Sequence, residues 1–132
     1  MLEYLEETFP GRPFLPSKPA ARARDRQIMA FLRSDTLEMR RTMPFECDFG
    51  RGHSPGDTDG ARADAARVVD LVRTRRNPEQ PTLADLDLAI AVRRLIHHGY
   101  DLSGIPDVVA YSDTIWKRAS LQSWGSLERP AP

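Results

Sequence analysis

Residues 81–99, PTLADLDLAIAVRRLIHHG, decide the fold that this sequence predicts. Thr82 and Asp85 have the spacing of a capping box, with Asp in the place usually taken by Glu or Gln. The residues after this cap are apolar around nearly the whole helix, at Leu86, Leu88, Ala89, Ile90, Ala91, Val92, Leu95 and Ile96. Such a helix belongs inside a protein, wrapped by other elements. Gly99 can adopt the left-handed conformation that ends a helix. We therefore predict a buried central helix over residues 82–98 in an all-α domain.

The composition indicates one domain of balanced charge. The chain has 132 residues, with 19 basic and 19 acidic side chains, and a chain of this length can bury about two-thirds of its unfolded surface. Because no segment concentrates positive charge, neither nucleic acid nor an anionic membrane is expected as the main partner. Cys47 is the single cysteine, which excludes an internal disulfide and fits a reducing cytoplasm.

The two ends of the chain predict segments outside the bundle. Leu2, Leu5 and Phe9 share one face of a short amphipathic helix over residues 1–9. Two turns are too short to be stable alone, so we expect something upstream to pack on them. Residues 10–19 contain four prolines and form a predicted stiff linker. A frayed tail is expected at residues 130–132, which leaves residues 20–129 as the helical domain.

The longest predicted helix runs over residues 20–42. Residues that recur at three- and four-residue steps form its inward stripe: Ala23, Gln27, Ile28, Phe31, Leu32, Asp35 and Met39. Charged residues mark its solvated faces: Arg22, Arg24, Asp25, Arg26 and Glu38. Pro44 ends the helix, and an irregular loop follows in which Phe45 and Phe49 are expected to act as anchors.

Three further helices complete a predicted orthogonal bundle of about five helices. Asp57 or Thr58 caps a helix through about residue 76, with a buried stripe of Ala61, Ala65, Val68, Val69 and Val72. Ser103 is the predicted cap of the next helix, which has Pro106 in its first turn. The inward residues of this helix are Ile105, Val108, Val109, Ser112, Ile115 and Trp116. A last short helix over residues 120–127 presents Leu121, Trp124 and Leu127.

The sequence contains no self-contained catalytic motif and no metal-ligand spacing. His97 and His98 are neighbours that point about 100° apart on a helix, whereas chelation needs an i, i+4 pair. Cys47 lies between two acidic residues that disfavour its thiolate, so we interpret it as structural or incidental. His53 lies in the loop and is expected to be inert. Thr82 and Asp85 are interpreted as a folding device rather than a catalytic pair.

Arg33-Ser34-Asp35 is the polar insertion in an otherwise apolar stretch. One interpretation is structural, either a buried ion pair or Asp35 tied to a neighbouring helix. The other is a patch that faces a ligand, in which Arg33 takes a carboxylate and Ser34 makes a polar contact. The pair Arg93-Arg94 is similar, because one of the two must emerge toward a cleft or a subunit face.

The ordered segments resemble the C-terminal helical domain of the glutathione transferase family. MLEYLEETFP is similar to the end of the helix that closes the thioredoxin-like half, and FLPSKPAARARDRQIMAFLRSD to the linker and the first helix of the helical half. TLADLDLAIAVRRL resembles the buried helix with its capping box, and IWKRASLQSW the closing helices. RARDRQIMAFLRSD with ADLDLAIAVRRLIHHG is most similar to the YfcF-like glutathione transferases of bacteria. The segment 77–81 lacks the aromatic residue usual before the box.

The resemblance implies a cytosolic, usually homodimeric enzyme that conjugates glutathione to hydrophobic electrophiles or reduces peroxides with it. Glutathione is then the co-substrate, and no cofactor, metal or catalytic residue is expected in this chain, because the catalytic group lies in the thioredoxin-like half. Arg33 and Ser34 match positions of glutathione contacts, and Arg94 lies near a pocket position. The chain is thus expected to be a truncated form, inactive alone. The alternative is a non-catalytic protein-interaction module of the same fold.

Overall fold

The computed structural model describes residues 2–9, 11–44, 58–75 and 77–127. These residues form the helices α1 Leu2–Thr8, α2 Pro19–Ser34, α3 Leu37–Thr42, α4 Asp59–Arg73, α5 Leu83–His97, α6 Pro106–Trp116 and α7 Ala119–Gly125. No strand occurs in the described part of the chain, so the predicted all-α class is confirmed. None of the described helices is long and apolar enough to cross a membrane.

Helix α5 lies at the centre of the bundle, as predicted. It follows Thr82 and ends just before Gly99, whose φ of +69° is the left-handed conformation expected there. It packs against α2, α4 and α6. Its buried apolar residues are Ala84, Leu88, Ala89, Ala91, Val92 and Leu95. The expectation of burial all round was too strong, because Leu86, Ile90 and Ile96 are only partly buried.

The prediction of a single helix over residues 20–42 is wrong, because the helix is interrupted between α2 and α3. Thr36 is buried at the break, and its hydroxyl donates to Leu32 O at 2.8 Å. Asp64 of α4 accepts a hydrogen bond from the Met39 N–H at 3.1 Å, which satisfies a backbone donor in the first turn of α3. A side chain 25 residues away therefore stabilises this second helix start.

The faces of α2 also differ from the prediction. Asp25, assigned to a solvated face, is 2% exposed. Ala23, Gln27 and Asp35, assigned to the inward stripe, are exposed. Asp25 is buried because it pairs with Arg75, which follows the end of α4 and whose side chain is only 16% exposed. The remaining inward residues of α2, Ile28 and Leu32, are buried as predicted, and Phe31 is half-buried.

The later helices follow the predicted order. Thr58 caps α4 by accepting from the Ala61 N–H at 3.1 Å, and the predicted stripe of α4 is buried. The predicted Ser103 cap is wrong, because residue 105 is the N-cap of α6 and makes no side-chain cap bond. The Ser103 N–H instead donates to Asp101 Oδ1 at 3.0 Å, in a turn before the helix.

Hydrogen bonds attach α1 to the linker that follows it, and the linker to the helical bundle. The Glu6 carboxylate accepts from the backbone N–H groups of Phe14 and Leu15 at 2.9 and 3.1 Å. Phe14 O in turn accepts from the Leu83 N–H at 2.9 Å, so the linker satisfies a donor in the first turn of α5. The expectations for Phe45, Cys47, Phe49, His53, Asp57 and residues 130–132 lie outside the described residues.

Candidate functional site

A small cavity opens where the end of α2 passes α3 and the middle of α5. Its volume is about 130 Å³. Its apolar wall consists of Leu32, Met39, Ile90 and Ala91, and its polar rim of Arg33, Arg40, Asp87 and Arg94. Two of the three predicted pocket residues, Arg33 and Arg94, therefore lie at one cavity, although they are 61 positions apart in sequence.

Arg33 and Asp87 form the ion pair that crosses the rim. Arg33 Nη1 lies 2.8 Å from Asp87 Oδ2, and the same nitrogen donates to Met29 O at 2.8 Å. The contact with Asp87 is short but poorly aligned, since buried Oδ2 accepts no well-formed hydrogen bond from any described group. Burial raises the pKa of the Asp87 carboxyl above its ordinary value, and Arg33 offsets this only in part.

The third predicted pocket residue, Ser34, does not line the cavity. Its hydroxyl is engaged locally, with Ala30 O at 2.9 Å and Asp35 Oδ2 at 2.5 Å. Arg40 lies on the rim instead, where its guanidinium donates to Arg33 O and so caps the end of α2. Arg40 and Asp87 were not predicted from the sequence, because their place depends on how α3 and α5 cross the end of α2.

Thr82 and Asp85 form the capping box at the start of α5, and they also belong to a larger buried cluster. Asp85 Oδ2 accepts from the Thr82 N–H at 2.7 Å. Arg75 donates to both oxygens of Asp85 and, at 2.9 Å, to Asp25 Oδ1. The Tyr111 hydroxyl donates to Asp85 Oδ1 at 2.5 Å. The cluster therefore joins α2, α5 and α6 to the end of α4.

The hydrogen bonds of this cluster shift the pKa values of Asp85 and Tyr111. Burial alone would raise the pKa of Asp85, but hydrogen bonds from Arg75, the Thr82 N–H and Tyr111 hold it below its usual value. Burial and the neighbouring Asp85 carboxylate raise the pKa of Tyr111. A carboxylate this fully bonded is a structural group, and it leaves no proton to transfer at neutral pH.

Further cavities lie elsewhere on the surface of the described residues. A wider cavity of about 680 Å³ lies between α1, the linker and the start of α5, and its charged lining residues are Glu6, Glu7 and Arg12. A groove of about 360 Å³ runs between α2 and α4. Within the described ranges, no three His, Cys, Asp or Glu side chains lie together as a metal site would require.

Comparison with known proteins places this helical bundle in a family. Residues 19–129 match the family described as glutathione S-transferase, C-terminal domain. The chain belongs to this family. No match was found among curated proteins.

A solved structure has the same fold. It is a glutathione transferase homologue from Burkholderia gl BGR1 with bound glutathione, similar to this chain with a TM-score of 0.65 and 24% sequence identity. The match covers 92% of this chain and 60% of that one. The chain therefore spans less than two-thirds of the length of that homologue, and at this identity the likeness shows the fold alone.

Proposed function

We propose that this chain is the helical half of a glutathione transferase-like protein, and that the cavity between α2, α3 and α5 contacts glutathione or its co-substrate. The observation that carries the proposal is the convergence of Arg33 and Arg94 on one cavity. Guanidinium groups bind carboxylates through charge-assisted hydrogen bonds. The apolar wall beside them suits the carbon chain of a hydrophobic electrophile.

In this proposal the chain binds and orients, and another part of the protein activates the thiol. No described side chain near the cavity is placed to lower the pKa of a thiol except through the positive charge of the arginines. We propose that a thioredoxin-like half supplies the activating group and that residues 1–9 and 10–19 connect it to the helical domain over residues 20–129. Positioning supplies much of the catalysis in a two-substrate reaction, so the chain alone is expected to turn over little.

The test is glutathione binding by the purified chain, measured by isothermal titration. We expect Arg94→Gln to weaken binding by about tenfold, because a charge-assisted hydrogen bond is lost. Arg73→Gln is the matched control, since Arg73 pairs with Asp107 on another face. Absence of glutathione binding, or equal affinity of the two variants, would contradict the proposal. Conjugation at the rate of an intact transferase would contradict the need for a second half.

A second candidate function is a non-catalytic interaction module of the same fold. The exposed apolar side chains of the N-terminal segment favour it: Tyr4, Leu5 and Phe9 are 64%, 44% and 62% exposed. Exposed apolar surface of this kind often marks a protein contact. Under this alternative, Leu5→Glu would abolish capture of a partner and the chain would show no affinity for glutathione. From the family resemblance we also propose a cytoplasmic location and a homodimer, which are compatible with either function. Analytical sedimentation of the purified chain tests the homodimer.

A further inference from the structure

Helix α1 has little apolar contact with the rest of the chain. Of the side chains described in residues 3–9, none is buried, and Tyr4 and Leu5 are exposed. Leu5 and Leu83 of α5 both line the cavity of about 680 Å³, so open space rather than close packing lies between the two helices there. A helix of seven residues is also too short to be stable alone in water. Its position and its helical form therefore depend on polar contacts.

Two glutamates of α1 make these contacts, and they differ in strength. Glu3 pairs with Arg26 of α2 at 2.6 and 2.7 Å, but the two side chains are 39% and 51% exposed. Exposed ion pairs contribute little, because water competes for both charges and salt screens them. Glu6 is half-buried and accepts two backbone N–H groups, those of Phe14 and Leu15, one on each carboxylate oxygen. Hydrogen bonds to a carboxylate are among the strong ones, so Glu6 is the main attachment of α1.

The linker that receives this carboxylate is anchored to the bundle by contacts of its own. The Leu15 side chain is only 6% exposed. Phe14 O accepts from the Leu83 N–H at 2.9 Å, and Pro16 O accepts from Arg22 Nε of α2 at 3.0 Å. The two N–H groups bound by the carboxylate are therefore held in place by α2 and α5. They form a fixed anchor that does not need α1 in order to exist.

We propose that Glu6 is a latch: it holds α1 against this fixed anchor in the linker, and its loss releases α1 while the linker and the bundle stay folded. The role of the latch rests on the proposed function. Where a thioredoxin-like half is joined through residues 1–9, the latch fixes the orientation of that half against the helical domain. The latch itself is measured without any ligand.

Amide hydrogen exchange of the intact chain, followed residue by residue by NMR, tests the latch in Glu6→Ala. The Phe9 N–H donates to Leu5 O at 3.0 Å and reports on α1. We expect its exchange, and that of the Phe14 N–H, to become about tenfold faster or more when the carboxylate is removed. The Leu83 N–H reports on the linker, because its acceptor is Phe14 O, and should change by less than about twofold.

Two further variants separate the latch from other effects of substitution in α1. Glu7→Ala removes the same kind of side chain from the next, exposed position of the helix and should leave the Phe9 amide unchanged. Glu3→Ala removes the exposed pair with Arg26 and should speed exchange of the Phe9 amide by less than about threefold. If either variant matches Glu6→Ala, the main attachment of α1 is not Glu6.

Three other results would overturn the proposal. The first is exchange of the Phe9 amide at the rate of a free peptide in the natural chain, since α1 would then not be held. The second is faster exchange at Phe14 with no change at Phe9, because Glu6 would then only cap the linker. The third is equal acceleration at Phe9 and Leu83, because the linker would then open with α1.

The two proposals fail separately, because the exchange measurement uses no glutathione. If the natural chain binds no glutathione but Glu6→Ala releases α1 alone, the latch holds and the proposed function fails. If glutathione binds as expected and Glu6→Ala leaves the exchange of α1 unchanged, the proposed function holds and the latch fails.

Discussion

Arg75 and Asp85 form a bidentate ion pair inside the helical bundle. Arg75 Nε donates to Asp85 Oδ1, and Nη2 lies 3.0 Å from Oδ2. A second bond from Arg75 reaches Asp25, so a single guanidinium neutralises two buried carboxylates on α2 and α5. Tyr111 of α6 joins the cluster as well, so the cluster links α2, α5 and α6.

Replacement of Arg75 by Gln is therefore expected to destabilise the fold strongly. Two carboxylates would be left buried without a counter-charge, and the free energy of unfolding should fall by about 3 kcal/mol or more. Urea unfolding followed by circular dichroism measures it. Arg73→Gln, which removes an exposed ion pair with Asp107, should cost less than about 1 kcal/mol. Equal losses of unfolding free energy for the two variants would show that the buried ion pairs of Arg75 stabilise the fold no more than an exposed pair does.

The stability of the fold should depend on pH through the ionisation of Asp85. Its pKa is lower in the folded chain than in the unfolded one, so its contribution is complete above the unfolded pKa of about 4 and disappears as the pH falls below it. Asp85→Asn should be less stable than the natural chain at pH 7, and the two should converge in acid. Thermal unfolding across the range from neutral to about pH 2 tests this. A constant gap at all pH values would contradict it.

The contribution of Asp87 to stability should change with pH in the opposite direction to that of Asp85. Because burial raises its pKa, the folded chain holds its proton more tightly, and ionisation lowers stability as the pH rises from the unfolded to the folded pKa. Asp87→Asn should thus be no less stable than the natural chain at pH 7, in contrast to Asp85→Asn. Measured in the same series, a loss at pH 7 as large as that of Asp85→Asn would disprove this assignment.

The start of α3 should depend on a residue of another helix. Asp64→Ala removes the acceptor of the Met39 N–H, and the free energy of unfolding should fall by about 1–2 kcal/mol, as for loss of a helix cap. Asp70→Ala, on the exposed face of the same helix, should stay within about 0.5 kcal/mol of the natural chain. Chemical unfolding of both variants compares them, and similar values would argue against the cross-helix cap.

Helix α7 should be released by a single aromatic truncation. Its residues include none that is buried, and the ring of Trp124 meets the edge of Trp116 at a centroid distance of 6.3 Å. Arg93 lies over the Trp116 ring at 5.3 Å, which ties the pair to α5. Trp124→Ala should speed tryptic cleavage after Lys117 while Ser123→Ala should not. Identical cleavage rates would place the anchorage of α7 elsewhere.

The sequence predicted the central helix because its signals are local. The capping box of Thr82 and Asp85, the apolar run behind it and Gly99 all lie within one stretch and act through backbone geometry alone. The buried stripe of α4 was predicted for the same reason, since periodicity along one helix reports which face is apolar. Arg33 was a candidate because it is a polar insertion in an apolar stretch, whereas only the family resemblance favoured Arg94 over Arg93.

The errors arose where a residue is governed by a partner distant in the chain. Asp25 was assigned to solvent because its own helix gives no hint of Arg75, 50 positions later. The first turn of α3 is capped by Asp64 of another helix, and the place of Asp87 on the cavity rim depends on how α5 crosses α2. Side chains choose between solvent and interior according to the charges they meet there. The sequence by itself determined the all-α class and which helix is central. Only the tertiary structure decided where the first long helix is interrupted and which charges are buried together, because these contacts act between helices that periodicity describes one at a time.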